Sequence, residues 1–176
     1  MKSTEFREES RNSKLEKFFR NIEENFDIVW EILLWENEKI VIFRQDDKNK
    51  QFYVFFYFYN GKLIGYKLWI LKSLPNNRLK LYATMNELEI GNSLGNYTMF
   101  LLAKYRKKWF GKKLYKESIK YLKNTFRDTE LEIVTMSSVP EFHKKIIEDL
   151  IHTIWWYLKE KDIDEENKKW FFIFII

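Results

Sequence analysis

The chain has 176 residues, the length of one ordinary domain, and its composition excludes several classes of protein. Hydrophobic residues make up 45% of it, with only 5 Gly and 2 Pro, which excludes disorder, collagen and low-complexity linker. The formal net charge is +5, and there are 2 His and no Cys. The lack of Cys excludes a disulfide framework, a thiolate nucleophile and a Cys zinc site. We therefore expect no metal site, and a location in the cytoplasm.

Residues 1–12 are polar and mixed in charge, without the apolar run of a secretion signal. We expect them to be a flexible amino terminus before a single domain over 13–176. The longest apolar runs are far shorter than the roughly 20 residues of a membrane helix, so we expect no membrane partner.

The first predicted elements are a helix and an apolar segment that can be either a helix or a strand. Apolar residues recur at helical spacing and are Leu15, Phe18, Phe19, Ile22 and Phe26. Ser13 and Glu16 have the form of a capping box, so the pattern predicts a helix over about 13–26. Residues 28–35 are almost continuously apolar and fit either a buried helix or a strand.

The middle of the chain has the composition of β-structure. Runs rich in β-branched and aromatic residues predict strands at 40–43, 52–59 and 63–71. Asn60-Gly61 lies between the last two runs and predicts a type I′ hairpin turn. Further strands at 79–85 and 97–103 complete a predicted meander of about five strands.

The last third alternates between helix and strand signals. Apolar spacing predicts a helix that starts near Gly111, and residues 131–136 alternate like a strand. Spacings of three and four predict a long helix over about 139–161, with Ser138, Pro140 and Glu141 in its first turn. Residues 170–176 form a continuous apolar run, which predicts a strand buried on both faces.

Positive charge is concentrated in one segment, 104–123. It holds one acid, Glu117, and nine basic residues, which are Lys104, Arg106, Lys107, Lys108, Lys112, Lys113, Lys116, Lys120 and Lys123. Such an excess of positive charge favours an anionic partner, whether phosphate, nucleic acid or acidic protein. An ordinary solvated helix face is an equally open interpretation.

The turn within this segment resembles the acyl-CoA-binding signature of the GNAT superfamily of N-acyltransferases, R/Q-x-x-G-x-G/A. Arg106 stands in the first position and Gly111 in the last, while Trp109 stands in place of the middle glycine. Tyr105 before the turn, Lys112-Lys113-Leu114 after it and the hairpin 53–71 are also similar to the family. The resemblance implies an α+β fold: a GNAT-like mixed, mostly antiparallel central sheet of about six to seven strands flanked by three to four helices.

The resemblance also implies acetyl-CoA or another acyl-CoA as cofactor and an amine as acceptor. Unpaired backbone N–H groups and the positive end of the dipole at a helix N-terminus form a pocket for pyrophosphate. In the family the pantetheine arm lies between the strand before the turn and the next strand, here 97–103 and 131–136. The residues implied to bind the cofactor are Leu102, Ala103, Arg106, Lys107, Lys108, Trp109, Phe110, Gly111 and Lys112.

No catalytic residue is assigned. The family's Asn after the fifth strand and Tyr on the next helix correspond here to Ser137 and Lys144. The candidate proton-transfer groups each have an ordinary structural interpretation, and they are Glu87, Glu89, Glu132, His143, His152 and Tyr157. No strand is evident between the long helix and residues 170–176, so we expect the family's final hairpin to be reduced.

Two other functions stay open. One is a non-catalytic protein of the same fold that binds a protein partner, as a phage or mobile-element anti-defence protein would. The other is nucleic-acid binding, because the segment 104–123 interleaves aromatic residues with cations. A homodimer is open as well.

Overall fold

The computed structural model describes residues 2–85, 87–88, 97–137, 157–164 and 169–175. Its α-helices are α1 (Lys2–Asn25) and α2 (Trp109–Thr125), and a short 3-10 helix covers Ala103–Tyr105. Its strands are β1 (Asp27–Trp35), β2 (Glu38–Asp47), β3 (Lys50–Tyr59), β4 (Lys62–Leu74), β5 (Arg78–Tyr82), β6 (Met99–Leu101), β7 (Glu130–Ser137), β8 (Tyr157–Asp164) and β9 (Lys169–Ile175).

These strands form one mixed, mostly antiparallel sheet. Its order is β1-β2-β3-β4-β5-β7-β9-β8, and β6 pairs with β4 beside this path. The only parallel pairing described is between β5 and β7. The expectation of an α+β fold with a mostly antiparallel sheet is confirmed. The sheet has nine strands rather than six to seven, and the described residues hold two α-helices.

The predicted hairpin forms as expected. Tyr59 pairs with Lys62, so Asn60 and Gly61 form a two-residue loop between β3 and β4. Asn60 has φ 50° and Gly61 has φ 71°, which are the positive values of a type I′ turn. This turn fixes the register of the two central strands.

The core has two layers, one on each face of the sheet, because successive strand residues point to opposite faces. One layer packs α1 against the sheet through Leu15, Phe18 and Ile22, which are completely buried. The other packs α2 through Leu114, Ile119 and Leu122, also completely buried. The two helices thus lie on opposite faces.

The structure corrects the start of the first predicted helix and shows whether the segment after it is a helix or a strand. Helix α1 begins at Lys2, so the predicted start at Ser13 is wrong and residues 2–12 are helical. No Gly or Pro interrupts residues 2–25, so nothing in the local sequence stops the helix from starting before the capping motif. The open segment 28–35 is strand, because it pairs with β2 along its length.

Three later predictions also change at their boundaries. The strands predicted at 79–85 and 97–103 are shorter, since β5 ends at Tyr82 and β6 covers Met99–Leu101. Helix α2 begins at Trp109, two residues before the predicted start. Where the chain leaves the sheet, backbone pairing with β4 is lost and the strands end.

The carboxyl-terminal prediction is partly wrong. Residues 157–161 lie in β8 and not in the helix predicted over 139–161, whose earlier part lies outside the described residues. Strand β8 pairs with β9 along its length, so a final hairpin is present and the expectation of a reduced one is wrong. The predicted terminal strand is confirmed as β9, between β7 and β8. Among the described residues, no helix is long and apolar enough to cross a membrane.

Candidate functional site at the start of helix α2

Strands β5 and β6 pair one after the other with the same edge of β4. Tyr82 pairs with Ile70 and Met99 pairs with Lys67, so the ladder along β4 is interrupted between Tyr82 and Thr98. Strand β7 pairs with β5 on one edge and with β9 on the other, while the described pairing of β6 is with β4 alone. The other edge of β6 is therefore open in the described structure.

The backbone of β6 presents hydrogen-bonding groups on this open edge. The N–H of Leu68 donates to the Thr98 carbonyl at 2.8 Å, and the N–H of Leu102 donates to the Ile64 carbonyl at 2.9 Å. Bonding groups alternate between the two edges of a strand, so those of Met99 and Leu101 point away from β4. These two residues thus face the position that the resemblance assigns to the pantetheine arm.

A cavity of about 370 Å³ accompanies this edge. Its lining combines β6 with three cationic side chains and consists of Tyr97, Met99, Phe100, Leu101, Arg106, Arg11 and Lys14. Arg11 and Lys14 belong to α1, whereas Arg106 belongs to the turn. The cavity is therefore suited to a ligand that carries negative charge.

The turn between β6 and α2 reverses the chain within a few residues. Leu102 is buried, the 3-10 helix follows it, and Lys107 has φ 57° in the left-handed region. The Arg106 side chain folds back, and its Nε donates to the Leu101 carbonyl at 2.7 Å. Its guanidinium carbon lies 5.5 Å from the centre of the Phe100 ring. Arg106 therefore closes the end of β6 instead of extending over the helix.

The N-terminus of α2 has no capping group of its own. Lys108 is the N-cap residue and makes no side-chain capping bond, and the first turn contains no acid. The first four N–H groups of a helix lack partners within it, and the dipole makes this end positive. Lys107, Lys108 and Lys112 add charge around it. Such an end binds a phosphate group well.

Trp109 and Gly111 take different positions in this first turn. The Trp109 side chain is 75% exposed, and the Lys112 Nζ lies 5.3 Å from its ring centre. The bulky residue at the signature's middle position thus has most of its surface in solvent. Gly111, at the signature's last position, is buried.

Three aromatic rings and one ion pair hold this end of α2 on the sheet. The Phe110 ring lies 5.0 Å from Tyr59 and 5.5 Å from Tyr105 between ring centres. The Lys113 Nζ donates to Glu38 Oε2 at 2.5 Å, and the Tyr57 hydroxyl donates to the same oxygen at 2.6 Å. Lys113 is therefore engaged with Glu38.

The protonation of Glu38 reflects these two bonds. Burial acts to raise the pKa of Glu38, but the hydrogen bonds from Lys113 and Tyr57, together with the charge of Lys113, lower it below its ordinary value. For Tyr57, burial and the bond to Glu38 raise the pKa. The carboxylate is therefore ionised and the phenol neutral at physiological pH, which preserves the contact between α2 and β2.

The predicted site residues fall into two groups. Arg106 lines the cavity, and Lys107, Lys108, Trp109 and Lys112 are at the helix N-terminus. The other four predicted site residues lie in the turn or in the first turn of α2. They are Leu102, Ala103, Phe110 and Gly111.

The candidate carboxylates have structural partners. Glu87 accepts hydrogen bonds from Lys50 at 2.5 Å and from Tyr82 at 2.8 Å. Glu132 accepts one from Arg78 at 2.9 Å. Glu89, His143, Lys144 and His152 lie outside the described residues, while Ser137 ends β7 and Tyr157 begins β8. The described residues contain no group of three metal-ligating side chains.

The aromatic residues of the basic segment 104–123 mostly belong to the core. Tyr115 is 2% exposed, and the Tyr121 ring packs 5.8 Å from that of Phe55. Among the aromatic residues of 104–123, Trp109 alone is largely exposed. Stacking of several nucleic-acid bases on this segment would require its rings to leave the core.

The sequence reasoning missed one unusual residue, Lys67 in the middle of β4. It is 4% exposed, and its Nζ lies 3.8 Å from the ring centre of Trp69 and 5.6 Å from that of Tyr115. Burial lowers the pKa of Lys67 to about 7. The available signal was a single lysine at a core-facing position of an apolar strand.

Comparisons with known proteins give structural likeness only. No protein-family model and no curated protein sequence matches the chain. Arabidopsis thaliana Naa50, in complex with the bisubstrate analogue CoA-Ac-MVNAL, is similar over 69% of this chain and 70% of its own, at 12% identity and a TM-score of 0.41. A spermidine N-acetyltransferase SpeG chimera from Vibrio cholerae and hSSAT covers 74% and 68%, at 12% and 0.44. A Bacillus subtilis acetyltransferase in complex with CoA covers 70% and 75%, at 14% and 0.41. At such identities and scores, these likenesses carry no function to the chain.

Proposed function

We propose that the protein is an N-acyltransferase, which takes an acyl group from an acyl-CoA such as acetyl-CoA and transfers it to an amine. The observation that carries this proposal is the open edge of β6 beside the N-terminus of α2. An extended ligand with amide groups can hydrogen-bond to a strand edge, and a pyrophosphate suits a helix N-terminus. A cytoplasmic location is part of the proposal and is supported by the absence of Cys.

Each part of the site would then have a defined task. The backbone N–H groups of Trp109, Phe110 and Gly111, with Lys107 and Lys108, would hold the pyrophosphate. The outward N–H groups of Met99 and Leu101, and the carbonyl of Met99, would bind the pantetheine amides. Arg106 supports this edge through the Leu101 carbonyl.

The chemistry of transfer needs little more than this geometry. A neutral amine attacks the thioester carbon, and negative charge develops on the carbonyl oxygen, where a backbone N–H can stabilise it. The CoA thiolate then leaves. Removal of a proton from the acceptor amine requires a base or a water, and none of the described carboxylates is assigned to it.

A second candidate function, binding of a protein partner without catalysis, is favoured by strand β1. This strand lies at one edge of the sheet and carries Ile28, Trp30, Leu33 and Trp35, which are 60 to 77% exposed. Exposed apolar residues gathered in one place often mark an interaction surface. Either a protein partner or a second copy of the chain would cover them.

The first experiment is calorimetric titration of the protein with acetyl-CoA. The test variant is Lys107→Glu with Lys108→Glu, which reverses two exposed charges at the helix N-terminus. The matched control is Lys48→Glu with Lys116→Glu. It makes the same change in charge, and Lys48, like Lys107, has a positive φ.

We expect binding by the wild type and the control, and affinity at least about tenfold weaker in the test variant, a loss of about 1.4 kcal/mol. A folded wild type that does not bind acetyl-CoA would overturn the proposal. Equal affinity in both variants would overturn the assignment of the site. Turnover with a panel of amines can be followed by thiol release, since the chain has no Cys to react.

A further inference from the structure

Lys67 is a buried amine whose described neighbours are apolar or aromatic. Its Cα partners are Phe55 on β3 and Met99 on β6, and its Nζ faces the rings of Trp69 and Tyr115. Ser118 of α2 accepts a bond from Trp69 Nε1 at 2.8 Å. Within the described residues, Lys67 makes no ion pair and no hydrogen bond through Nζ, so nothing there neutralises a charge on it.

This amine lies one side chain away from the proposed acyl-CoA groove. Thr98 and Leu102 bond to β4 through their backbones, and groups that face β4 recur at every second residue. Lys67 and Met99 therefore form a pair without mutual hydrogen bonds, the kind in which the two Cα atoms lie closer together. Their side chains lie on the same face, with Cβ atoms about 4.5–5.5 Å apart in such pairs. Met99 also lines the cavity. Access from the cavity to Lys67 would require the Met99 side chain to change rotamer, which an unbranched side chain does readily.

We propose that Lys67 is itself an acyl acceptor, modified by the acyl-CoA that binds along β6. This inference rests on the proposed function. The Nζ lone pair attacks the thioester carbonyl carbon, an amide C–N bond forms and the C–S bond breaks. CoA leaves as the thiolate, and the proton shed by the nitrogen converts it to the thiol. The products are one acylated lysine and free CoA.

The environment of Lys67 favours this reaction over acylation of surface lysines. With its pKa lowered by burial to about 7, half of the Lys67 side chains are neutral at pH 7. A surface lysine with the ordinary pKa of about 10.4 is neutral in fewer than about one molecule in a thousand. Acylation also replaces a buried, ionisable amine by an uncharged amide, which removes the cost of burying its charge.

The test is incubation of the full chain with acetyl-CoA between pH 6 and pH 8.5, with mass spectrometry of the intact protein and of its peptides. We expect one acetyl group per chain, at Lys67, at a rate at least about ten times that of any other lysine. The rate at Lys67 should level off above about pH 7, while reaction of surface lysines keeps rising toward their pKa of about 10.4. Peptide mapping of the wild type identifies the site without any variant.

Two variants and one parallel measurement complete the design. Lys67→Arg removes the acceptor and keeps a cation, and Lys62→Arg is the matched control on the exposed start of the same strand. Acetyl-CoA binding is measured on the same samples. Binding without acetylation of Lys67 overturns this inference and leaves the proposed function intact, whereas absence of binding overturns both. Equal acetylation in the Lys107→Glu, Lys108→Glu variant would mean chemistry outside the site and would also overturn the inference.

Discussion

Replacing Lys67 by Met should make the protein more stable at neutral pH and remove part of its pH dependence. Met is unbranched and apolar, so it can occupy the space of the lysine stem between Trp69 and Tyr115 without a charge. The lysine must lose its proton, or bury its charge, each time the chain folds. The variant has neither cost.

The magnitude follows from the pKa of Lys67, lowered by burial from 10.5 to about 7. Each pH unit between these two values is worth about 1.4 kcal/mol, so the penalty at pH 7 is roughly 4 kcal/mol. Attraction between the ammonium and the two rings opposes it by up to about 2 kcal/mol. We therefore expect Lys67→Met to raise the free energy of unfolding by about 2–4 kcal/mol at pH 7.

The sign of the pH dependence is fixed by which state holds the proton. Between about pH 7 and pH 10 the unfolded chain keeps the Lys67 proton and the folded protein does not, so stability rises with pH in this window. The wild type should gain about 1–2 kcal/mol between pH 7 and pH 9 relative to the variant, and the smaller value corresponds to the full attraction of the two rings. Below pH 7 both states are protonated, and the difference between the two proteins stays at its largest value.

The assay is denaturation by guanidinium chloride at pH 6, 7, 8 and 9 for both proteins. The series stops at about pH 9 because burial raises the pKa values of Tyr53, Tyr57 and Tyr82, so that stability falls where tyrosines of the unfolded chain ionise, near pH 10. Parallel pH curves for wild type and variant would refute the reasoning. They would mean that Lys67 keeps its charge in the folded protein.

Two further substitutions test how β6 and α2 are held. Gly65→Ala should destabilise the protein by at least about 2 kcal/mol and weaken acetyl-CoA binding, because an added Cβ would lie 2.2 Å from the Phe100 carbonyl oxygen on β6; a variant as stable as the wild type would contradict the close approach of β6 to β4. Ser118→Ala should cost about 1–3 kcal/mol, since it leaves the buried Trp69 N–H without its acceptor. Thermal unfolding measures this, with Thr125→Ala as the control for an exposed hydroxyl on the same helix, and equal losses in the two variants would argue against the buried bond.

The sequence by itself determined those features that depend on neighbouring residues. The Asn60-Gly61 turn has its conformation because both residues tolerate positive φ, and runs rich in β-branched and aromatic residues identified β3 and β4 around it. The basic turn before α2 was visible as composition, and its residues do surround the N-terminus of that helix. Local sterics, turn chemistry and periodicity were sufficient for these features.

Tertiary structure decided the features that depend on partners distant in the chain. Residues 28–35 and 157–161 become strands because β2 and β9 supply their hydrogen bonds, and no local pattern contains that information. The edge of β6 is open because the described pairing of β7 is with β5 on one side and β9 on the other, and not with β6. Lys67 is an ordinary lysine in the sequence, and it is desolvated only because β3, β6 and α2 enclose it. Its burial, and therefore its proposed reactivity, is a property of packing, since the cost of a buried charge depends on what surrounds the group in space.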